Sequence, residues 1–178
     1  MSDFRKLKNS ELDRLGVEQF KSAAKTPIIV ILDNIRSLNN VGSFFRTSDS
    51  FRIKKIYLCG ITATPPHKDI QKTALGSTES VAWEYVEDCT ALVSDLNQQG
   101  VQTYAIEQTE NAIMLNEFSL PQGPIAVIFG NEVKGVQQKV VDLCHGVLEI
   151  PQIGTKHSLN IAVSAGVVLW DLFQKGQP

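Results

Sequence analysis

Apolar residues arrive in short uninterrupted runs, separated by stretches in which they recur every three or four positions. Residues 28–32 (IIVIL) and 125–129 (IAVIF) are continuous and mostly β-branched. Such runs suit parallel strands covered on both faces. Shorter runs at 55–59, 81–86, 101–106 and 146–150 predict further strands. Between them the spacing turns helical. Val41, Phe44, Phe45, Ser48 and Phe51 predict a helix over 41–51, and others are predicted over 69–74, 89–99, 136–143 and 158–173. The last is apolar on more than one face, which predicts packing on two sides. Residues 10–24 predict a helix with Ser10 as its cap and Asp13 at the capping-box position. Residues 107–120 read as polar and irregular. Strands alternating with helices imply an α/β domain on a mainly parallel sheet sandwiched by helices. Residues 1–26 read as an N-terminal helical extension and 27–178 as the domain itself.

Composition narrows the class. A chain of 178 residues that is 43% hydrophobic can bury a core without a disulfide or metal staple. It is not disordered, collagen-like or disulfide-rich. No apolar stretch approaches the ~18–20 residues of a membrane span, and the charged start MSDFRKLKNSELDR is unlike a secretory signal. Three cysteines, Cys59, Cys89 and Cys144, form no CxxC, which points to a reducing cytoplasm. His67, His145 and His157 show no catalytic pairing, and no metal-ligand spacing occurs. The net charge of −2 hides an asymmetry: residues 1–80 hold 13 basic and 8 acidic groups, residues 81–178 hold 4 and 11. A polyanion would be met mainly by the N-terminal half.

In open α/β sheets, ligands sit at the carboxyl ends of strands. Three loops there carry more chemistry than a connection needs. In the first, DNIRSLNNVGSFFRTSDSF (33–51), Asn39 or Asn40 can cap the next helix, and Gly42 permits close approach. Asn39, Ser43, Arg46 and Ser50 share one helical stripe, with Arg46 as the planar multi-donor group for a phosphate-bearing ligand. In the second, VIFGNEVKGV (127–136), two glycines flank a strand–helix turn and Glu132 sits at its rim. The spacing is neither a dinucleotide fingerprint nor a P-loop. In the third, EIPQIGTKHSLNIAVSAGVVLWDLF (149–173), Ser158 or Asn160 stands at the start of the apolar terminal helix.

Taken together, NNVGSFFRTSDSF, GNEVKG and IPQIGTKHSLNIAVSAGV resemble, in order and spacing, the three motifs of the SpoU (TrmH-type) RNA 2′-O-ribose methyltransferases of the SPOUT class. ALGSTESV (74–81) also looks like that family's substrate-side loop. The resemblance implies a SPOUT methyltransferase domain with a C-terminal trefoil knot, a homodimer packed through it, and S-adenosylmethionine as methyl donor. By motif position, Ile106, Gly130, Ile150, Ser158 and Leu159 would line the donor pocket. Arg46 matches the arginine credited with activating the ribose hydroxyl, with Asn40, Glu132, Ser158 and Asn160 positioning it, the donor and the ribose. Arginine is protonated under nearly all conditions, so Arg46 acts either as a base in an unusual environment or by holding an RNA phosphate. The implied substrate is RNA, transfer RNA ahead of ribosomal RNA. The competing expectation, motivated by the acidic net charge, is a non-catalytic RNA-binding module on the same fold.

Overall fold

The computed structural model describes residues 4–177. Seven strands form one sheet: β1 (Thr26–Asp33), β2 (Ile53–Cys59), β3 (Trp83–Val86), β4 (Gln102–Ile106), β5 (Ile113–Met114), β6 (Ile125–Phe129) and β7 (Gly146–Glu149). Their order is β3-β2-β1-β6-β4-β7-β5, and every pairing is parallel. The helices are α1 (Val17–Ser22), α2 (Leu38–Ser50), α3 (Lys68–Ala74), α4 (Ser77–Ser80), α5 (Cys89–Gln98), α6 (Gln138–Val141) and α7 (Ile161–Lys175).

The two apolar runs become adjacent central strands, with Ile28–Leu32 paired to Ile125–Phe129. Alternation sends Ile28, Val30, Leu32, Val127 and Phe129 into one buried cluster with Phe44 and Phe45 of α2 and Val168, Leu169 and Leu172 of α7. Ile29, Ile31, Ala126 and Ile128 enter the other, under Leu92, Val93 and Leu96 of α5. Burial on both faces is why these strands read as unbroken apolar runs. Each buried aliphatic side chain contributes about 1.5–3 kcal/mol.

Four local expectations change. The helix over 10–24 is broken into a 3₁₀ turn at Asn9–Glu11 and the short α1, with Asp13 at φ 32° between them. Ser10 caps nothing and Asp13 is no box partner; instead Glu11 accepts from the Lys8 N–H at 2.6 Å and Gln19 from the Gly16 N–H at 2.9 Å. The physical reason is a missing surface: α1 buries Phe20 alone, while Leu15 stays 49% exposed. At α2, Ser37 is the cap, accepting from the Asn40 N–H at 3.3 Å, so neither Asn39 nor Asn40 has that role. Residues 107–120 hold β5 and a 3₁₀ turn, Leu115–Glu117, and bury Leu115 and Phe118, the latter edge-on to Tyr104 at 4.9 Å. The terminal helix starts at Ile161, three residues later than its pattern suggested, because Asn160 caps it.

The dispersed cysteines meet on one face of the sheet, where Cys59 and Cys89 are buried and Cys144 packs beside them. Hydrogen bonding to Cys59 and burial push the Cys89 thiol far above the ordinary range. Low thiolate content makes this face inert packing.

Candidate active site

An all-parallel sheet puts its strand carboxyl ends on one edge. The segments leaving β4, β6 and β7 there enclose a cavity of about 560 Å³, closed by residues 158–161 leading into α7. Ile106, Gly130, Ile150, Ser158 and Leu159 all line it, as do Glu132 and Asn160. Three segments far apart in the chain therefore share one hollow, walled by aliphatic side chains and loop backbone.

The wall between β6 and α6 is a tight loop. Asn131 and Gly135 exchange backbone hydrogen bonds at 3.0 and 2.8 Å. The Asn131 side chain accepts from the Val133 and Lys134 N–H groups at 3.0 and 3.1 Å and donates to the Asn34 carbonyl at 2.8 Å. Glu107, one residue past β4, accepts from the Val136 N–H at 2.7 Å. Two glycines make this closure possible. A Cβ on Gly130 would lie closer than 3.0 Å to Val136 N and Gly135 C, and Gly135 adopts φ +69°. Under the same loop Asp33, fully buried, accepts from Gln137 through its N–H at 3.1 Å and its Nε2 at 2.8 Å.

Glu132 ties the second motif to the first. Its carboxylate accepts from the Arg36 N–H at 2.9 Å, the Ser37 N–H at 3.0 Å and Asn40 Nδ2 at 3.0 Å. Partial burial opposes the charge, but these donors outweigh it and hold the carboxyl below its usual range. The native pKa is depressed, so the clamp's stabilisation is full above the unfolded glutamate value of about 4.3 and fades as pH falls through the lowered native value. Glu132→Gln should therefore lower stability near neutral pH, with the gap to wild type narrowing in acid. Parallel denaturant titrations across that range check this; a gap that is constant or grows in acid contradicts it.

Asn160 spends its side-chain oxygen on the Ala162 and Val163 N–H groups at 2.9 and 3.4 Å, so it is both cavity wall and helix cap. Arg46 stands apart. It is exposed on α2, is not in the cavity wall, and its guanidinium has no hydrogen bond or ion pair among the described residues. On its stripe, Ser43 and Ser50 turn back onto the Asn39 and Arg46 carbonyls at 2.9 and 3.0 Å. Glu107, Asp33 and Asn131 escaped sequence reasoning. Glu107 and Asp33 were findable, each a carboxylate at the carboxyl end of a buried strand.

The model of the SpoU rRNA methylase family matches residues 27–170. This chain belongs to the SpoU family. Among its relatives, the 23S rRNA (guanosine-2′-O-)-methyltransferase RlmB of Vibrio parahaemolyticus is 24% identical over 163 residues, covering 90% of this chain and 64% of the relative. The tRNA (guanosine(18)-2′-O)-methyltransferase of Thermus thermophilus is 27% identical over 162 residues, covering 91% and 82%. The solved structure of the A. aeolicus TrmH/SpoU tRNA modifying enzyme superposes with a TM-score of 0.77 at 23% identity, covering 88% of this chain and 78% of that one. The SpoU methyltransferase AviRb from Streptomyces viridochromogenes, in complex with AdoMet, gives 0.77 at 19% identity, covering 87% and 62%. The SpoU chain described here thus spans about two thirds of the length of the first of these relatives. Among the described residues no helix is long and apolar enough to cross a membrane, and no group of three or more metal-ligating side chains occurs.

Proposed function

We propose that this SpoU-family chain is a cytoplasmic RNA methyltransferase that moves a methyl group from S-adenosylmethionine to a ribose 2′-hydroxyl. The observation that carries this is the shared hollow at the strand ends, lined by all five motif-derived donor residues. Its size falls in the range of small-molecule sites. Ile106, Ile150 and Leu159 offer the apolar walls an adenine needs, and the missing Cβ atoms of Gly130 and Gly135 keep the loop amides close to a ligand. Transfer RNA is the favoured substrate over ribosomal RNA, since the Thermus relative named for transfer RNA is matched over 82% of its length. Residues 27–178 form the SPOUT methyltransferase domain, knotted at its C-terminal segment, and 1–26 the extension.

When bound, the donor supplies an electrophilic methyl on a sulfonium that leaves as a neutral thioether. The chain's part is placement and charge. Residues 130–136 and 158–161 hold the donor, and the Glu132 clamp fixes the start of α2 and thereby the helix carrying Arg46. Arg46 orients the ribose hydroxyl through the adjoining phosphate or eases loss of its proton. RNA from cells lacking the gene, incubated with methyl-labelled donor, should gain label at linkages that resist alkali. Absence of label from every RNA fraction would overturn the proposal.

Arg46 lies outside its own chain's cavity, which fits a site completed by a second copy. Leu159, Val163, Val167 and Trp170 leave one face of α7 unusually apolar, with Val163 at 53% and Trp170 at 52% exposure. Trp170 also joins Phe51 and Phe173 in an aromatic cluster at 5.8 and 6.1 Å. A homodimer through this face buries that stripe. Val163→Glu combined with Trp170→Glu should yield monomers in sedimentation equilibrium and abolish transfer. A dimer surviving both changes would put the interface elsewhere.

A further inference from the structure

A second cavity, of about 730 Å³, opens on the loop that walls the first. The two share Asn131, Val133, Lys134 and Gly135, so the loop is a partition with a hollow on each side. The second hollow has a distinct chemistry. It is lined by Arg36, Lys134 and Lys139, and none of its described lining residues is acidic. That stands out in a chain with a net charge of −2. Arg36 and Lys134 form no ion pair among the described residues, and Lys139 faces Asp88 only at 4.0 Å, both well exposed. Such a contact is worth little. Ile61 and Val133, at the same rim, are 67% and 76% exposed, with no protein surface to cover them.

The remaining polar groups are sorted by what is already engaged. Gln137 gives its Nε2 to Asp33 and Gln138 gives its Nε2 to Asp142, each at 2.8 Å. Both side-chain oxygens are left as acceptors. The cavity therefore offers cationic donors for a phosphate, amide acceptors for base N–H groups and two aliphatic side chains for a base face. A nucleotide uses all three together.

We infer that this cavity docks one nucleotide of the substrate RNA other than the one being methylated, on the far side of the loop from the methyl donor. The inference rests on the methyltransferase proposal and names part of its RNA-binding surface. Seating a nucleotide here presses on the Asn131–Gly135 loop that also walls the donor hollow, and so couples RNA docking to donor geometry.

The test is Arg36→Ala combined with Lys139→Ala, since neither side chain lines the donor cavity and the Arg36 N–H that holds Glu132 is retained. Binding of total transfer RNA, and separately of ribosomal RNA fragments, is measured over a salt series. Donor affinity by calorimetry is the control for folding. The variant should bind RNA about tenfold more weakly at moderate salt, with a salt slope shallower by about 1.5, for two lost phosphate contacts at about 0.7–0.9 each. Donor affinity should not change. Arg36→Lys with Lys139→Arg should restore most of the slope. Unaltered RNA affinity and slope in the alanine variant would overturn the inference. A wild-type protein that binds RNA on this cavity yet transfers no methyl would overturn the methyltransferase proposal and leave the docking site standing.

Discussion

Arg46→Ala should lower methyl transfer by about 10²–10³-fold, the usual cost of removing one charge-stabilising donor from an active site, while leaving donor affinity unchanged. The split follows from position. Arg46 is absent from the wall of the donor cavity, so its loss removes nothing that touches the donor. Its guanidinium is also without a protein partner among the described residues, so its removal should cost little stability. Arg46→Lys is informative beside it. A lysine keeps the charge but not the planar fork, so partial activity would favour phosphate orientation and a fully inactive lysine variant would favour bidentate geometry. Single-turnover rates with saturating RNA, alongside calorimetry of donor binding, read both quantities. Full activity in Arg46→Ala would remove this residue from the mechanism.

Gly130→Ala should weaken donor binding by about 10²-fold, because a displacement of about 1 Å in a positioning loop is enough for losses of that order. Here the displacement is forced. The added methyl would meet the Val136 amide and the Gly135 carbonyl group, all backbone, with no flexible side chain to yield. Either the Asn131–Gly135 bridge opens or the start of α6 moves, and both reshape the donor hollow. Overpacking of this kind also costs about 1–3 kcal/mol of stability. A thermal melt with and without donor separates the effects: a modest fall in Tm, together with loss of the donor-induced rise, is the expected pattern. A variant that retains the full donor-induced rise would show that the loop does not frame the site.

Legibility of the fold tracked burial. Runs such as Ile28–Leu32 and Ile125–Phe129 are covered on both faces, and the Val41–Phe51 spacing packs against the sheet, so their patterns answered to large, local driving forces. The N-terminal segment misled because its apolar positions are spaced as in a helix but find almost no surface to cover. Ser37 capped α2 in place of either asparagine because the helix began at Leu38, and boundaries rest on a single hydrogen bond rather than on burial. At the site, the glycines, Glu132 and Asn160 stood out by type and spacing. The Asp33–Gln137 and Glu107–Val136 contacts did not, since they join residues 104 and 29 positions apart.

By itself, the chain's order of residues determined which segments become strands and helices, and which three loops carry polar and glycine residues beyond what a turn requires. These are local properties, set by periodicity and backbone freedom. Only the tertiary structure decided that β6 inserts between β1 and β4, that the loops after β4, β6 and β7 close on one hollow, and that Glu132 reaches across to the start of α2. Those outcomes depend on strand pairing between distant residues, where the energy of a contact is unrelated to its separation along the chain. Arg46 belongs to neither category, for its position on an open helix face becomes chemistry only when something else is brought against it.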